Sequence, residues 1–139
     1  MSAKLIFAYI SSYFAAALIF CLLDFIWLGI VMKDFYTNQI GTLLLTNPRW
    51  GVAAAFYALY LLGVLFFAVT PALQGGELSR AALYGAMLGL LAYGTYNLTN
   101  LATIKAWSAI LSVVDMAWGA VVTSAAASAG YFAAKIFLK

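Results

Sequence analysis

Two carboxylates stand inside long apolar runs. They are Asp24 in Leu23-Asp24-Phe25-Ile26-Trp27-Leu28-Gly29 and Asp115 in Asp115-Met116-Ala117-Trp118-Gly119. An acid in such a setting can exchange a proton for a cation, bind an amine, serve in general acid–base chemistry or hold a hard cation through oxygen. Each is followed three residues later by a tryptophan, Trp27 or Trp118, on the same helical face. Other hydrogen-bonding groups sit in equally apolar surroundings. Tyr57 and Tyr60 form one pair, while Tyr93, Asn97 and Asn100 follow at i, i+4 and i+7 and so share a helix face, with Tyr96 between them. The rings of Trp27, Trp118, Tyr57, Tyr60 and Tyr96 would suit a cationic or lipid-like ligand as an aromatic wall. Lys105 closes the polar stretch and either snorkels to the membrane surface or reaches a carboxylate as its counter-ion.

Other chemistries fall away. The chain has no histidine, which removes imidazole metal sites, proton shuttles and serine–histidine triads. Cys21 is the sole cysteine, so neither an internal disulfide nor a thiolate cage can form, and no metal site or cofactor is expected. The net charge of +3 comes from scattered basic residues at the ends of apolar runs, without a basic cluster, so nucleic acid is not an expected partner.

Positioning these groups falls to helices in lipid. Hydrophobic residues make up 67% of the chain and charged ones 8%, against about 45–50% and about 25% in soluble domains, and a chain this short cannot hide so much apolar surface from water. Lipid is therefore the expected solvent and first partner. A spanning helix needs about 20 apolar residues, and four stretches qualify: 5–32, 51–69, 81–104 (with Ser79 as N-cap) and 108–137. The first is too long for the ~7–15-residue apolar core of a signal peptide. Apolar and polar residues do not alternate at period two, which excludes a β-barrel. The expected fold is a single all-α domain over 1–139, a bundle of four transmembrane helices. Its longer loop, 33–50, carries Ile40, Leu43, Leu44 and Leu45 and reads either as an interfacial or re-entrant segment or as a plain loop.

At 1.5 Å per residue, Asp24 lies about 13 Å below the face marked by Lys33, and Asp115 about 15 Å below the same face marked by Lys105. Tyr57, Tyr60 and Asn97 come to a similar depth from Trp50 and Lys105, so every span delivers a polar group to one layer. Gly85 and Gly89 form one small-residue ridge, Gly119, Thr123 and Ala127 another, and both read as helix-packing surfaces. The two Asp-x-x-Trp motifs on oppositely running helices suggest the trace of an inverted repeat. Four crossings put both termini on one side. That side carries Lys4, Arg80, Lys135 and Lys139, the other only Lys33, Arg49 and Lys105, so the termini are expected in the cytoplasm.

The Leu23–Gly29 run, Phe56-Tyr57-Ala58-Leu59-Tyr60, the polar stretch with its Tyr93-Gly94-Thr95-Tyr96-x-Leu98-Thr99-Asn100 signature, and Asp115-Met-Ala-Trp118-Gly119 together resemble a family of small bacterial membrane proteins known only as a domain of unknown function. The resemblance covers nearly the whole chain. It implies a bacterial four-helix protein, expected in the inner membrane, and supplies no activity.

Three functions are compatible with these residues. Asp24 and Asp115, close together in a low dielectric, cannot both ionise cheaply, which suits binding or transport of protons or of a small cationic, amphipathic or lipid-like molecule. Small four-helix multidrug exporters use a membrane-embedded acid in this way, usually as dimers, and by that analogy a homodimer is a candidate assembly. A membrane-embedded enzyme acting on a lipid or isoprenoid would use the same pair, but such enzymes need more acids and basic phosphate ligands than this chain offers. Thirdly, the acids could be structural glue, at about 0.6 kcal/mol per interhelical hydrogen bond.

Overall fold

The computed structural model describes residues 2–139, and every regular element among them is helical. Helix α1 (Ala3–Ile26) starts at Ser2, whose hydroxyl accepts from the Leu5 amide, and runs into a π turn, Trp27–Val31. A short helix α2 (Lys33–Ile40) and a 3₁₀ turn (Gly41–Leu43) follow. Helix α3 (Trp50–Val64) continues through a second π turn (Leu65–Val69) into α4 (Thr70–Gly75). Helix α5 (Leu78–Thr103) and helix α6 (Ala109–Leu138) complete the chain.

These bounds amend the sequence expectation in two places. The second helix does not stop at Val69, because the π turn sits directly before Pro71. A widened turn relieves the clash between a proline ring and the carbonyl four residues back, and the rod goes on to Gly75. Ser79 is not the cap of α5 either: the helix begins at Leu78, with Glu77 in the capping position and no side-chain cap. Segment 33–50, read as interfacial or as plain loop, contains α2 and the 3₁₀ turn.

Helix α6 is the hub, packing along α1 on one side and α5 on the other. Its partners meet it with narrow faces. The buried residues of α1 recur every fourth position, Ala8, Ser12, Ala16, Phe20 and Asp24, small at one end and bulky or acidic at the other. On α5 the contact is closer still. A Cβ added to Gly85 would lie 2.8 Å from the Thr123 carbonyl oxygen, and one added to Gly89 would fall on the Gly119 carbonyl, so these two helices touch backbone to backbone. Helix α3 joins chiefly through its last turn and the π turn that follows, where Tyr60, Leu61, Val64, Leu65, Ala68 and Val69 are buried, while its first turns stand out.

The outer surface is lined by large apolar side chains, among them Phe14, Leu18, Phe25, Val52, Leu59, Phe66, Leu91 and Val113. Three helices are long and apolar enough to cross a membrane, Ala3–Val31, Trp50–Gly75 and Ala109–Leu138. Helix α5 matches them in length, but Thr95, Asn97, Thr99 and Asn100 make it more polar. A chain of this kind is integral to a membrane, since its outer surface requires a hydrocarbon solvent.

The turn from α5 to α6 holds Ala106 at φ 63°, in the left-handed region that disfavours a Cβ. Ala106→Gly removes that strain at some cost in unfolded-state entropy, so a gain of under about 1 kcal/mol is expected. A rise of a few degrees in thermal unfolding in mild detergent would show it; a fall would contradict the turn geometry.

Candidate functional site

Asp24 occupies the last turn of the buried stripe of α1 and is 4% exposed; Asp115 lies two turns into the buried face of α6 and is 7% exposed. The helices run antiparallel, so each Asp-x-x-Trp motif meets the other. Trp27 and Trp118 stack face to face, with ring centroids 4.3 Å apart and planes within 3°. The Trp118 Nε1–H donates to Asp24 Oδ1 at 3.1 Å, and the Tyr57 hydroxyl of α3 donates to Asp24 Oδ2 at 2.6 Å. On the other side Tyr36, from α2, donates to Asp115 Oδ1 at 2.6 Å and itself accepts from Trp27 Nε1 at 3.3 Å. Asn97 of α5 donates to Asp115 Oδ2 at 2.6 Å.

Each carboxylate oxygen thus receives one neutral donor, and neither acid has a cationic partner. The one ion pair among the described residues is Arg80 with Glu77, at 3.8 Å in the α4–α5 turn. Asn97 is completely buried. Its amide nitrogen serves both Asp115 and the Tyr93 carbonyl, at 3.0 Å, which leaves its Oδ1 enclosed without a partner. A buried acceptor without a donor is uncommon and invites a donor from outside the chain.

The four donors differ in what they allow. The Trp118 indole and the Asn97 amide nitrogen can only donate. The hydroxyls of Tyr57 and Tyr36 can turn and accept instead, so a proton arriving at Asp24 belongs on Oδ2, facing Tyr57, and one arriving at Asp115 belongs on Oδ1, facing Tyr36. The cluster can therefore take up or give up a proton by rotating phenol hydroxyls, with no helix displaced. For Tyr36, burial first and then the hydrogen bond to Asp115 raise the hydroxyl above its usual range, so it stays a neutral donor. Among the described residues no three acids, cysteines or histidines lie close enough to hold a metal ion.

Other residues singled out in the sequence stand outside this network. The Tyr60 hydroxyl pairs with Thr123 at 2.8 Å, and the Tyr93 ring packs on Gly119. Tyr96 is 54% exposed and meets Trp107 edge to face, at 5.5 Å. Asn100 is half-buried and Lys105 exposed; neither has a hydrogen bond or ion pair to a carboxylate among the described residues, so Lys105 is no counter-ion here. Its short aliphatic distance from the helix end lets the ammonium stay at the surface rather than enter the apolar interior. Sequence reasoning missed Tyr36 altogether. The signal that could have found it is an aromatic pair, Phe35-Tyr36, placed so soon after Trp27 that a short reversal returns it to the bundle.

Residues 9–132 match the family model described as "Predicted membrane protein (DUF2177)", a stretch that includes both Asp-x-x-Trp motifs, α2 and the polar half of α5. No curated protein matches the chain, and no solved structure does. With the match running over nearly all of its helices, the chain belongs to this family of predicted membrane proteins of unknown function.

Proposed function

We propose that the protein is a small transporter in which Asp24 and Asp115 exchange protons for a small cationic or amphipathic molecule. The observation that carries this reading is two buried carboxyls held only by neutral donors. An acid inside a membrane costs about 2.5–3.5 kcal/mol on insertion scales, and two without a counter-ion are suited to taking a positive charge from a ligand or a proton. The unpartnered Oδ1 of Asn97, beside Asp115, adds an acceptor that an ammonium or a bound water would use.

In this reading α5 is a fourth crossing. It is as long as the others and is seated against α6 at Gly85 and Gly89, so it shares their depth. Both termini then face the cytoplasm, with the bacterial inner membrane as the location. A groove of about 640 Å³ between α3 and α5 opens sideways toward lipid, lined by Phe56, Tyr60, Gly63, Phe66, Leu88 and Ala92. Phe56 and Tyr60 stack at 5.9 Å within one helical turn of Tyr57, the donor to Asp24, so the apolar part of an amphipathic ligand would find an aromatic wall there. A homodimer would bring two such sites together.

The test uses tetraphenylphosphonium, a lipophilic cation, with the purified protein in mild detergent. Isothermal titration calorimetry in buffers of differing ionisation heat reads both affinity and protons released. The wild type is expected to bind with proton release, more tightly at mildly alkaline than at mildly acidic pH. The Asp24→Asn, Asp115→Asn double variant should lose at least about tenfold in affinity and all proton release. Equal binding by the two proteins, or none by the wild type, would remove the proposed role and leave the acids as helix–helix glue.

A further inference from the structure

Helix α2 is attached to the rest of the protein in an unusual way. Its backbone neighbours are the π turn before it and the 3₁₀ turn after it. What ties it to α6 is side chains: the Tyr36 hydroxyl on Asp115, and Gln39 Oε1, which accepts from the Ser108 hydroxyl at the very start of α6. Lys33, Asp34, Thr37 and Asn38 point outward, while Phe35 is half-buried and Ile40, at the end next to the 3₁₀ turn, is buried. The segment is bounded on one side by Met32, whose φ of -115° and ψ of 10° break the helix that runs on through the π turn, and on the other by residues 44–49, which form no helix. Both ends can therefore absorb a change of direction without breaking a regular helix.

We propose that α2 is a gate over Asp115, latched by Gln39 on Ser108 and plugged by Tyr36. With the latch closed, the Tyr36 ring and hydroxyl cover Asp115 Oδ1. When α2 swings out about Met32, Asp115 meets the aqueous side first. Asp24 stays behind the stacked Trp27 and Trp118 rings, which do not belong to α2. The two acids are thus reached in a fixed order, Asp115 before Asp24, and Tyr36 is a positioning residue that acts through Asp115. This assignment rests on the transport reading for its purpose but not for its test.

A water-soluble carbodiimide with glycine methyl ester converts accessible carboxyls to stable amides, which mass spectrometry of the digested full-length protein locates one by one. The exposed Asp34 and Glu77 calibrate the reagent. Gln39→Ala, which removes only the latch, is expected to raise the labelling rate of Asp115 about fivefold to tenfold, as the loss of one neutral hydrogen bond would. Asp24 should not change. Tyr36→Phe should act in the same direction while keeping the ring that packs the site; if that variant fails to fold, Gln39→Ala alone decides. An unchanged Asp115 rate relative to Asp34 overturns the gate, and so does an equal rise at Asp24, which would mean general loosening. Absence of tetraphenylphosphonium binding alongside selective Asp115 labelling would overturn the transport reading and keep the gate.

Discussion

A Gly89→Ala variant is expected to lose the pairing of α5 with α6, and with it most of the folded protein. The added methyl would coincide with the Gly119 carbonyl group, and the next atom in its way is the Thr123 hydroxyl oxygen. None of these is the far end of a flexible side chain, so the helices themselves must separate. Overpacking a core typically costs about 1–3 kcal/mol, and a site where backbone opposes backbone belongs at or above the upper end. The damage would spread, because Asn97 reaches Asp115 only while α5 lies this close to α6. Gly63→Ala is the matched control. An added Cβ there meets nothing within 4 Å, and alanine is the better helix former by up to about 1 kcal/mol, so that variant should unfold slightly higher. Thermal unfolding of both in the same detergent checks the pair. Equal midpoints would mean that the α5–α6 contact is not the one described.

The second large effect concerns the acids and has the opposite sign to what a purely structural role requires. The Asp24→Asn, Asp115→Asn double variant is expected to unfold at a higher temperature than the wild type. Asparagine fits the same donors: at position 24 its oxygen can face the Trp118 indole and its nitrogen the Tyr57 hydroxyl, which turns to accept. At position 115 the oxygen can face Asn97 and the nitrogen Tyr36. All four bonds survive. What is removed is the cost of bringing two acids out of water, whether as desolvated charge or as a proton taken up to avoid it, several kcal/mol in all, since the unfolded chain in detergent returns the carboxylates to water. In the wild type the four interhelical bonds, at about 0.6 kcal/mol each, do not offset that cost. A midpoint several degrees higher, together with lost cation binding, is the pattern of a site kept at a cost to stability. A midpoint several degrees lower would identify the acids as glue.

Much of this architecture was legible in the residues, for definite reasons. Lipid as solvent follows from composition alone, and helices follow from lipid, because backbone groups in hydrocarbon must be satisfied within the element. The approach of α5 to α6 was legible in Gly85, Gly89 and Gly119, since a gap of four is one helix face. The pairing of the two Asp-x-x-Trp motifs was visible only as an echo, because a stack between distant segments leaves no local periodicity. Tyr36 was not legible: it lies in a segment whose apolar residues fit a surface helix and a plain loop equally well. Only the break at Met32, which follows a π turn with no proline to announce it, points that segment back at Asp115. Pro71 misled in the other direction, because a proline reads as a stop unless the preceding turn widens.

The hub position of α6 also sets a schedule for synthesis. Helix α1 leaves the ribosome with a buried face whose main partner is the last helix in the described chain. Roughly eighty residues separate the end of α1 from the start of α6, which at about 5–20 residues per second is several seconds of elongation. Tyr57 arrives early in that interval, while the Trp118 indole arrives only after it. Through that interval Asp24 is in the nascent chain with at most half of its eventual partners, and Ala8, Ser12 and Ala16 offer a smooth strip to any other helix nearby. Biogenesis of this protein therefore has a vulnerable window, in which a membrane insertase or chaperone that shelters a lone acid would act on α1 before the chain can shelter it by itself.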